Sequence, residues 1–259
     1  MGYTHETMRD AKERGEKALL DEKYAGVQSI EFEKDVNRLE RGEPVAYVIG
    51  WVPFLGLRIY LDSRPLIPRP ETEWWAEQLI EKLAGASREF RVLDLCAGSG
   101  AIGLAVLSKI QDVHVSFSDI EPRHVATIEK NIRENNLDRS RADIRSGDLF
   151  APFEQNELFD VIVANPPYVP ETRSLPSEVK SFEPREALYS GAEGLDLIER
   201  IARETPSHLF ENGMLWLECD SEHAAQALTK IQEFFHHATL ENDLYGRPRL
   251  IKAHGNRVG

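Results

Sequence analysis

The residues best suited to chemistry are Asn165, Pro166, Pro167 and Tyr168, which directly follow the apolar segment FDVIVA. An amide or exocyclic amino nitrogen is a poor nucleophile because its lone pair is delocalised into a π system. If the Asn165 side-chain oxygen and the Pro166 carbonyl each accept one N–H of a planar NH₂ group, they direct its lone pair at an electrophile and stabilise the developing positive charge. The prolines preorganise both acceptors, and the Tyr168 ring can cover the amide. We predict Asn165, Pro166 and Tyr168 to be catalytic, and all four residues to bind substrate.

A second candidate site is the segment DLCAGSGAIG, in which a strand-like run leads into Gly98, Gly100 and Gly103. Such a turn lets backbone N–H groups and a helix N-terminus face a ligand at the carboxyl end of a strand. The Gly-x-Gly-x-x-Gly spacing also matches a dinucleotide fingerprint, and Asp119 lies about where a ribose-binding acid is expected. The spacing alone therefore does not separate NAD from S-adenosylmethionine.

Carboxylates around this loop favour S-adenosylmethionine. Asp94 lies four residues before Gly98, where a pyrophosphate site usually has an apolar or small residue, and it suits a sulfonium and an ammonium group. Asp119 is expected to bind both ribose hydroxyls, and capping of a turn or helix is the alternative role for both acids. Asp148, after the third predicted strand, could reach the adenine amino group.

The elements that position these residues alternate along the chain. From Arg91 onward, continuous apolar runs alternate with amphipathic segments, which predicts a doubly wound α/β sheet. The tail ATLENDLYGRPRLIKAH predicts two strands around a turn at Gly246, and so an antiparallel edge on a mostly parallel, seven-stranded sheet. We predict a short helical segment over residues 1–45, a β-hairpin over 46–63 and the main domain over 64–259.

Composition limits the class of partner. The chain has 259 residues, a formal net charge of −13 and no basic cluster to offset it, so we expect no stable nucleic acid partner. The charged N-terminus and the lack of a long apolar run predict no signal peptide and no membrane span. Two cysteines without Cys-x-x-Cys spacing indicate the cytoplasm. We expect a monomer, and no metal, because His236-His237 has no partner ligands at suitable spacing.

These residues resemble the protein-(glutamine-N5) methyltransferases of the HemK/PrmC type, which modify the Gly-Gly-Gln tripeptide of peptide chain release factors. The likeness covers about residues 42–253. It is carried, in the family's order, by GEPVAYVIGWVPFLGLRIYLDSRPLIPRPETE, DLCAGSGAIGLAV, SDIEP, NPPYVP, FEPREALYSGAEGLDLIERI and DLYGRPRLIKA. The resemblance implies a Rossmann-like class I methyltransferase fold, S-adenosylmethionine as cofactor, S-adenosylhomocysteine as product and a release factor as protein substrate.

The resemblance also extends the set of predicted site residues. Phe54 and Arg69 join residues 165–168 at the glutamine, and Arg69 is expected to pair with a carboxylate. Thr72 is predicted to begin a helix as its N-cap. The residues expected to bind the cofactor are Asp94, Cys96, Ala97, Gly98, Ser99, Gly100, Asp119, Ile120, Asp148, Leu149 and Asn165.

Other readings remain open at this point. A sister group methylates a glutamine of a ribosomal protein and tends to read Pro-Arg-Ser-Pro where this chain has Pro-Arg-Pro-Glu-Thr-Glu, which favours the release-factor branch. An adenine-N6 methyltransferase would use a similar motif but would need a base-flipping pocket and a basic groove. A catalytically silent module that keeps the cofactor fold, and an NAD oxidoreductase, are the alternatives of another class.

Overall fold

The computed structural model describes residues 5–85 and 88–257, with side chains from residue 12 onward. The ends of the predicted first and last segments, residues 1–4 and 258–259, and residues 86–87 lie outside the described residues. The helices of the described part are α1 (His5–Tyr24), α2 (Ile30–Glu40), α3 (Val45–Ile49), α4 (Pro70–Leu83), α5 (Ala101–Lys109), α6 (Pro122–Glu134), α7 (Ser177–Phe182), α8 (Asp196–Glu204) and α9 (Ala224–Gln232). The strands are β1 (Trp51–Phe54), β2 (Leu57–Tyr60), β3 (Phe90–Leu95), β4 (Val113–Asp119), β5 (Ala142–Ser146), β6 (Phe159–Ala164), β7 (Leu209–Glu218), β8 (Phe235–Asn242) and β9 (Pro248–Asn256).

The main sheet has seven strands in the order β5-β4-β3-β6-β7-β9-β8. The strands β3 to β7 are parallel, and β9 runs antiparallel to both of its neighbours. The predicted fold is therefore confirmed, with the detail that the reversed strand lies one position in from the edge. The chain order changes direction between β3 and β6, and ligands of open α/β sheets bind at such a point, outside the carboxyl ends of the strands.

The two faces of the sheet bury separate apolar cores. Val92 of β3 packs in one core with residues of α4, α5 and α6, whereas Leu93 and Leu95 pack in the other with residues of α8 and α9. Successive side chains of a strand point to opposite faces, so a strand covered on both sides reads as a continuous apolar run. This is why the strand predictions from Arg91 onward are confirmed.

The N-terminal segment has a small core of its own, in which Leu19, Phe32 and Val48 are buried. Asp35 of α2 is buried beside it and accepts hydrogen bonds from Lys23 and Arg38 at 2.7 and 2.8 Å. The two cations hold the pKa of this carboxyl below its usual range, against the opposing effect of burial. The N-terminal segment is thus stabilised by both apolar contacts and ion pairs.

Two local predictions are wrong. The residues Tyr47 to Ile49 belong to helix α3, because the chain turns only at Gly50, which has φ 99°, before the hairpin of β1 and β2 begins. Helix α4 begins at Pro70, whose fixed φ and missing N–H suit a first helical turn. Thr72 therefore lies inside the helix and does not cap it, which frees its hydroxyl for a contact described below.

Candidate active site

Neighbouring strand ends bring the candidate residues to one edge of the sheet. Ala164 at the end of β6 is the register partner of Leu95 in β3 and of Leu217 in β7. Parallel strands in register end at the same edge of the sheet. The residues that follow these three are Cys96, Asn165 and Glu218. The glycine loop and the Asn-Pro-Pro-Tyr segment therefore leave the sheet side by side, as the sequence predicts.

The glycine loop connects β3 to α5 through backbone that favours glycine. Gly98 and Gly100 have φ of 55° and 78°, a region that residues with a Cβ rarely adopt. The Gly98 N–H donates to Asp119 Oδ2 at 2.7 Å, which ties the loop to the end of β4. A Cβ on Gly103 would collide with the Phe117 ring, so this glycine allows α5 to pack closely on β4.

The remaining loop residues lie in an electronegative environment. Cys96 adopts φ 56°, Ala97 donates its N–H to the Ser118 carbonyl at 3.1 Å, and Ser99 is buried. Burial raises the pKa of the Cys96 thiol well above its usual range, and the nearby carboxylates of Asp119, Asp94 and Asp148 add to this. Three acids around one loop suit a cationic ligand and would repel a pyrophosphate.

Asp94 is buried beneath the loop with only part of its carboxyl group used. Its Oδ2 accepts the Gly103 N–H at 2.8 Å, so the capping role considered for it is present. Its Oδ1 is buried and has no hydrogen-bond partner within residues 5–85 and 88–257. Burial raises the pKa of Asp94 to about 8. A buried acceptor without a donor is costly, and a nearby cationic or hydrogen-bonding ligand would relieve that cost.

Asp119 and Ile120 lie at the tip of β4. Asp119 Oδ1 accepts the Glu121 N–H at 2.9 Å, and the His124 Nδ1 lies 3.0 Å from the same oxygen. Asp119 Oδ1 thus faces two protein nitrogens, whereas Oδ2, among the described residues, accepts only the Gly98 N–H and keeps a second lone pair for a hydroxyl. Ile120 is 66% exposed and lines a cavity of about 620 Å³ with Phe182. An exposed apolar side chain next to a carboxylate suits a nucleoside.

Asp148 and Leu149 follow β5. The Asp148 carboxylate is half exposed and accepts a hydrogen bond from Arg200 Nη2 at 3.0 Å. Leu149 is buried and adopts φ 48°, and its carbonyl accepts the Ser118 hydroxyl at 2.8 Å. Asp148 thus lies at the rim of the loop and Leu149 lies in its apolar wall. Contact of either residue with adenine stays a prediction.

The Asn165 amide is held from one side only. Its Nδ2 donates to the Thr72 hydroxyl at 3.2 Å, whereas its Oδ1 is buried and has no hydrogen-bond partner in the part of the chain that the structure describes. Buried amide oxygens are almost always paired. Asn165 therefore presents a free acceptor at the carboxyl edge of the sheet, which is the feature that the sequence argument requires.

Glu218, at the end of β7, connects the residues around Asn165 and is a functional candidate that the sequence analysis missed. The carboxylate is 1% exposed. Its Oε2 accepts the Thr72 hydroxyl at 2.6 Å and the Trp75 Nε1–H at 2.8 Å, and its Oε1 accepts the Tyr168 hydroxyl at 2.9 Å. Its one sequence signal was an acid at the end of an apolar strand.

A cavity of about 180 Å³ lies against the Asn-Pro-Pro-Tyr segment. Arg69, Asn165, Pro166 and Tyr168 line it, together with Leu66, Val169, Leu175, Val179, Ala187 and Leu188. Pro167 is buried outside this lining. The lining residues are mostly apolar and include Asn165, whose Oδ1 has no partner among the described residues, so the cavity suits a small polar group carried on an aliphatic stem.

Arg69 closes one side of this cavity, and its predicted pairing with a carboxylate is confirmed. Its Nη2 donates to Glu183 Oε1 at 2.5 Å, and Glu183 Oε2 accepts the Ile67 N–H at 3.4 Å. Phe54, in contrast, is 1% exposed and packs in the core under the hairpin. The structure does not bring Phe54 to the cavity, because its inward strand position faces the apolar core.

Within residues 5–85 and 88–257, no group of three His, Cys, Asp or Glu side chains is placed to hold a metal ion. No helix within these ranges is long and apolar enough to cross a membrane.

Comparison with known families places this geometry among methyltransferases. The model of the methyltransferase small domain family matches residues 75–182, which include the glycine loop and Asn165. Solved structures show the same fold. A methyltransferase from Pyrococcus furiosus is 16% identical with a TM-score of 0.56, over 85% of this chain and 97% of that one. A 16S rRNA methyltransferase of T. thermophilus, solved with AdoMet and guanosine, is 17% identical with a TM-score of 0.56, over 79% of this chain and 49% of that one.

Three curated relatives carry the name release factor glutamine methyltransferase. The protein from Chlamydia trachomatis serovar D is 39% identical over 201 residues, which are 76% of this chain and 66% of that protein. The protein from Lactococcus lactis is 31% identical over 240 residues, which are 90% and 85% of the two chains. The protein from Rhodopirellula baltica is 32% identical over 86% of this chain and 78% of its own.

Proposed function

Because this chain belongs to the release factor glutamine methyltransferase family, we propose that it methylates the side-chain amide nitrogen (N5) of the glutamine in the Gly-Gly-Gln tripeptide of a peptide chain release factor. The family resemblance seen in the sequence is thereby confirmed. The single observation that supports the chemistry is the Asn165 amide, whose Nδ2 is bound to Thr72 while its buried Oδ1 has no partner among the described residues.

The proposed cofactor, S-adenosylmethionine, fits the residues around the glycine loop. The loop at 96–100, Asp94, Asp119 and Asp148 would surround it with carboxylates and backbone N–H groups, and Ile120 and Leu149 would add apolar surface. When bound, it supplies a methyl group activated by a sulfonium and leaves as S-adenosylhomocysteine. The spare lone pair of Asp119 Oδ2 suits a ribose hydroxyl, and the unpaired Asp94 Oδ1 suits a cationic ligand.

The protein's part in the reaction is to orient a planar amide. Asn165 Oδ1 accepts one N–H of the target amide, and the Pro166 carbonyl accepts the other. With both hydrogens held, the nitrogen can pyramidalise and present its lone pair, and the fixed acceptors stabilise the charge that develops on it. The methylated nitrogen becomes acidic and loses its proton to water, so no side chain has to act as a strong base.

The cavity beside Asn165 favours a glutamine side chain over a flipped base. Its volume of about 180 Å³ and its walls of Leu66, Val179 and Leu188 match an aliphatic stem that carries an amide. The Tyr168 hydroxyl is bound to Glu218, which fixes the ring beside the Asn165 amide. The net charge of −13 would repel a phosphate backbone.

The test is a radiolabelled methyl-transfer assay with three substrates offered side by side: a release factor, a large-subunit ribosomal protein and DNA. Mass spectrometry then locates the methyl group. We expect labelling of the release factor at the glutamine of Gly-Gly-Gln, and none when this glutamine is replaced by glutamate. Labelling of adenine in DNA, or of the ribosomal protein alone, would contradict the proposed substrate.

A further inference from the structure

Glu218 and Asn165 are joined by two consecutive hydrogen bonds through one hydroxyl group. The Asn165 Nδ2 donates to Thr72 Oγ1 at 3.2 Å, and the Thr72 hydroxyl donates its own proton to Glu218 Oε2 at 2.6 Å. Thr72 and Glu218 are both buried, at 3% and 1% exposure. The hydroxyl therefore has its donor directed at the carboxylate, and only its acceptor side faces Asn165.

We propose that Glu218 is a positioning residue for the methyl-transfer reaction, acting through Thr72 to fix which end of the Asn165 amide faces the substrate. This inference rests on the function proposed above. The two ends of an amide have the same shape, so packing alone does not select between them. A hydroxyl whose proton is already committed to a carboxylate can only accept, so it selects Nδ2 and leaves Oδ1, on a residue that lines the cavity, without a partner among the described residues.

The same chain of bonds strengthens the acceptor. Hydrogen bonds in series polarise one another, and a chain that ends in a buried carboxylate draws the amide protons toward it. Electron density on Asn165 Oδ1 rises as a result. The negative charge of Glu218 lies two hydrogen bonds from Asn165 and also favours the positive charge that develops on the substrate nitrogen.

The remaining donors to Glu218 keep the carboxylate in place. Trp75 Nε1–H and the Tyr168 hydroxyl bind it from two further elements, α4 and the segment after β6. Burial and the nearby Glu218 charge raise the pKa of Tyr168 well above its usual range, so its hydroxyl stays a donor under assay conditions. Glu218 thereby connects both predicted catalytic side chains, Asn165 and Tyr168, to one anchor.

Two substitutions of Thr72 separate positioning from packing. Thr72→Val keeps the branched shape and removes the hydroxyl, whereas Thr72→Ser keeps the hydroxyl and removes a buried methyl group. If the residue acts only through packing, the serine variant is the more damaged one. If it positions Asn165, we expect kcat to fall roughly tenfold in Thr72→Val and less than about threefold in Thr72→Ser, with S-adenosylmethionine affinity within about twofold of the wild type in both.

A second measurement does not depend on turnover. In ¹⁵N spectra of asparagine-labelled protein, the Asn165 side-chain NH₂ signal is assigned as the one that disappears in Asn165→Ala. We expect the hydrogen-bonded Nδ2 proton to shift upfield and exchange faster in Thr72→Val, and to stay as in the wild type in Thr72→Ser. Unchanged Asn165 signals in Thr72→Val, or equal loss of kcat in both variants, would overturn the positioning role.

The two readouts keep this inference apart from the proposed substrate. If the wild type leaves the release factor unmethylated but the Asn165 signal still responds to Thr72→Val and not to Thr72→Ser, the substrate proposal fails and the positioning contact stands. If the release factor is methylated equally well by the wild type and Thr72→Val, the positioning role fails and the substrate proposal stands.

Discussion

Two buried acids near the carboxyl ends of β3 and β7, the strands on either side of β6, differ in how the fold pairs them. Asp94, in β3, accepts one N–H through Oδ2, and its Oδ1 has no partner in the described ranges. Glu218, at the end of β7, accepts three hydrogen bonds through both oxygens. Each is 1% exposed, so burial alone does not distinguish them. The difference lies in how many donors the protein itself provides.

This contrast separates acceptors that are left free for a ligand from a carboxylate that holds neighbouring side chains in place. Burying an acceptor without a donor costs free energy, so a spare acceptor persists where a ligand completes it. Asp94 meets that description at the glycine loop, and Asn165 Oδ1 meets it beside the cavity. Both oxygens of Glu218 are bound to protein donors, and the carboxylate serves to hold Thr72, Trp75 and Tyr168. Variants at these positions can break or sharpen the distinction.

The largest effect is expected at Asn165 Oδ1, the free acceptor of the amide that Thr72 connects to Glu218. Asn165→Ala removes Oδ1, so we expect kcat to fall roughly a hundredfold or more, as when one transition-state hydrogen bond is deleted. S-adenosylmethionine binding should stay largely intact, because the glycine loop is untouched. Steady-state kinetics on the release factor and calorimetric titration of the cofactor measure both. A variant with unchanged turnover would defeat the mechanism.

Replacing each acid by its amide tests the contrast itself. Glu218→Gln keeps one oxygen for Thr72 and Trp75 but turns charge-assisted hydrogen bonds into neutral ones. We expect it to lower the free energy of unfolding by about 2 kcal/mol. Asp94→Asn at pH 7 should not lower it, because burial raises the pKa of Asp94 to about 8, so that without a cationic ligand the folded protein holds this carboxyl mostly protonated while the unfolded chain ionises it. Urea denaturation of both variants gives the comparison.

The outcome has a clear reading in either direction. Equal losses in the two variants would mean that Asp94 is ionised in the folded protein and that the contrast is wrong. A lower free energy of unfolding in Asp94→Asn alone would mean that Asp94, and not Glu218, is the acid whose hydrogen bonds stabilise the fold.

The positions of the glycine loop and of Asn165 could be predicted from the sequence because their signals are local. Strand, glycine loop and helix follow one another within DLCAGSGAIGLAV, and Asn165 directly follows its strand. The order of the parallel strands then brings both segments to one edge of the sheet. Residues that are neighbours in sequence and lie at strand ends therefore sufficed to predict which segments meet at this edge.

The hydrogen bonds of Glu218 could not be predicted from the sequence, because its partners are distant in sequence. Thr72 and Glu218 are 146 positions apart, and nothing near either residue indicates the other. The capping role predicted for Thr72 rested on a helix start that lies three residues earlier in the structure, where Arg69 is the N-cap and Pro70 the first helical residue. The apolar run at Tyr47 was likewise ambiguous, since short β-branched segments fit a strand or a buried helix and packing decides between them.

The pH dependence of the free energy of unfolding tests the protonation of the Asp94 carboxyl. The carboxyl has a pKa raised from 3.8 to about 8 on folding, so the folded protein holds a proton that the unfolded chain releases between these values. The stabilisation is complete below about pH 4 and is lost as the pH rises toward 8. Relative to Asp94→Asn, we expect the free energy of unfolding of the wild type to fall by roughly 1 kcal/mol per pH unit between pH 5 and 7. Urea denaturation at several pH values measures this slope, and identical pH profiles would contradict it.

A smaller loss than in Glu218→Gln is expected when Glu218 is made to resemble Asp94. Tyr168→Phe removes the donor to Glu218 Oε1 and leaves that oxygen without a partner, while the ring still lines the cavity and Thr72 still binds Oε2. We expect the free energy of unfolding to fall by about 1 kcal/mol and kcat to fall about threefold. Tyr60→Phe, in β2 beneath Lys130, is the matched control and should change neither. If Tyr168→Phe lowered kcat as far as Asn165→Ala, the hydroxyl would take part in the reaction itself, and Glu218 would have to be counted with the groups that act on the substrate.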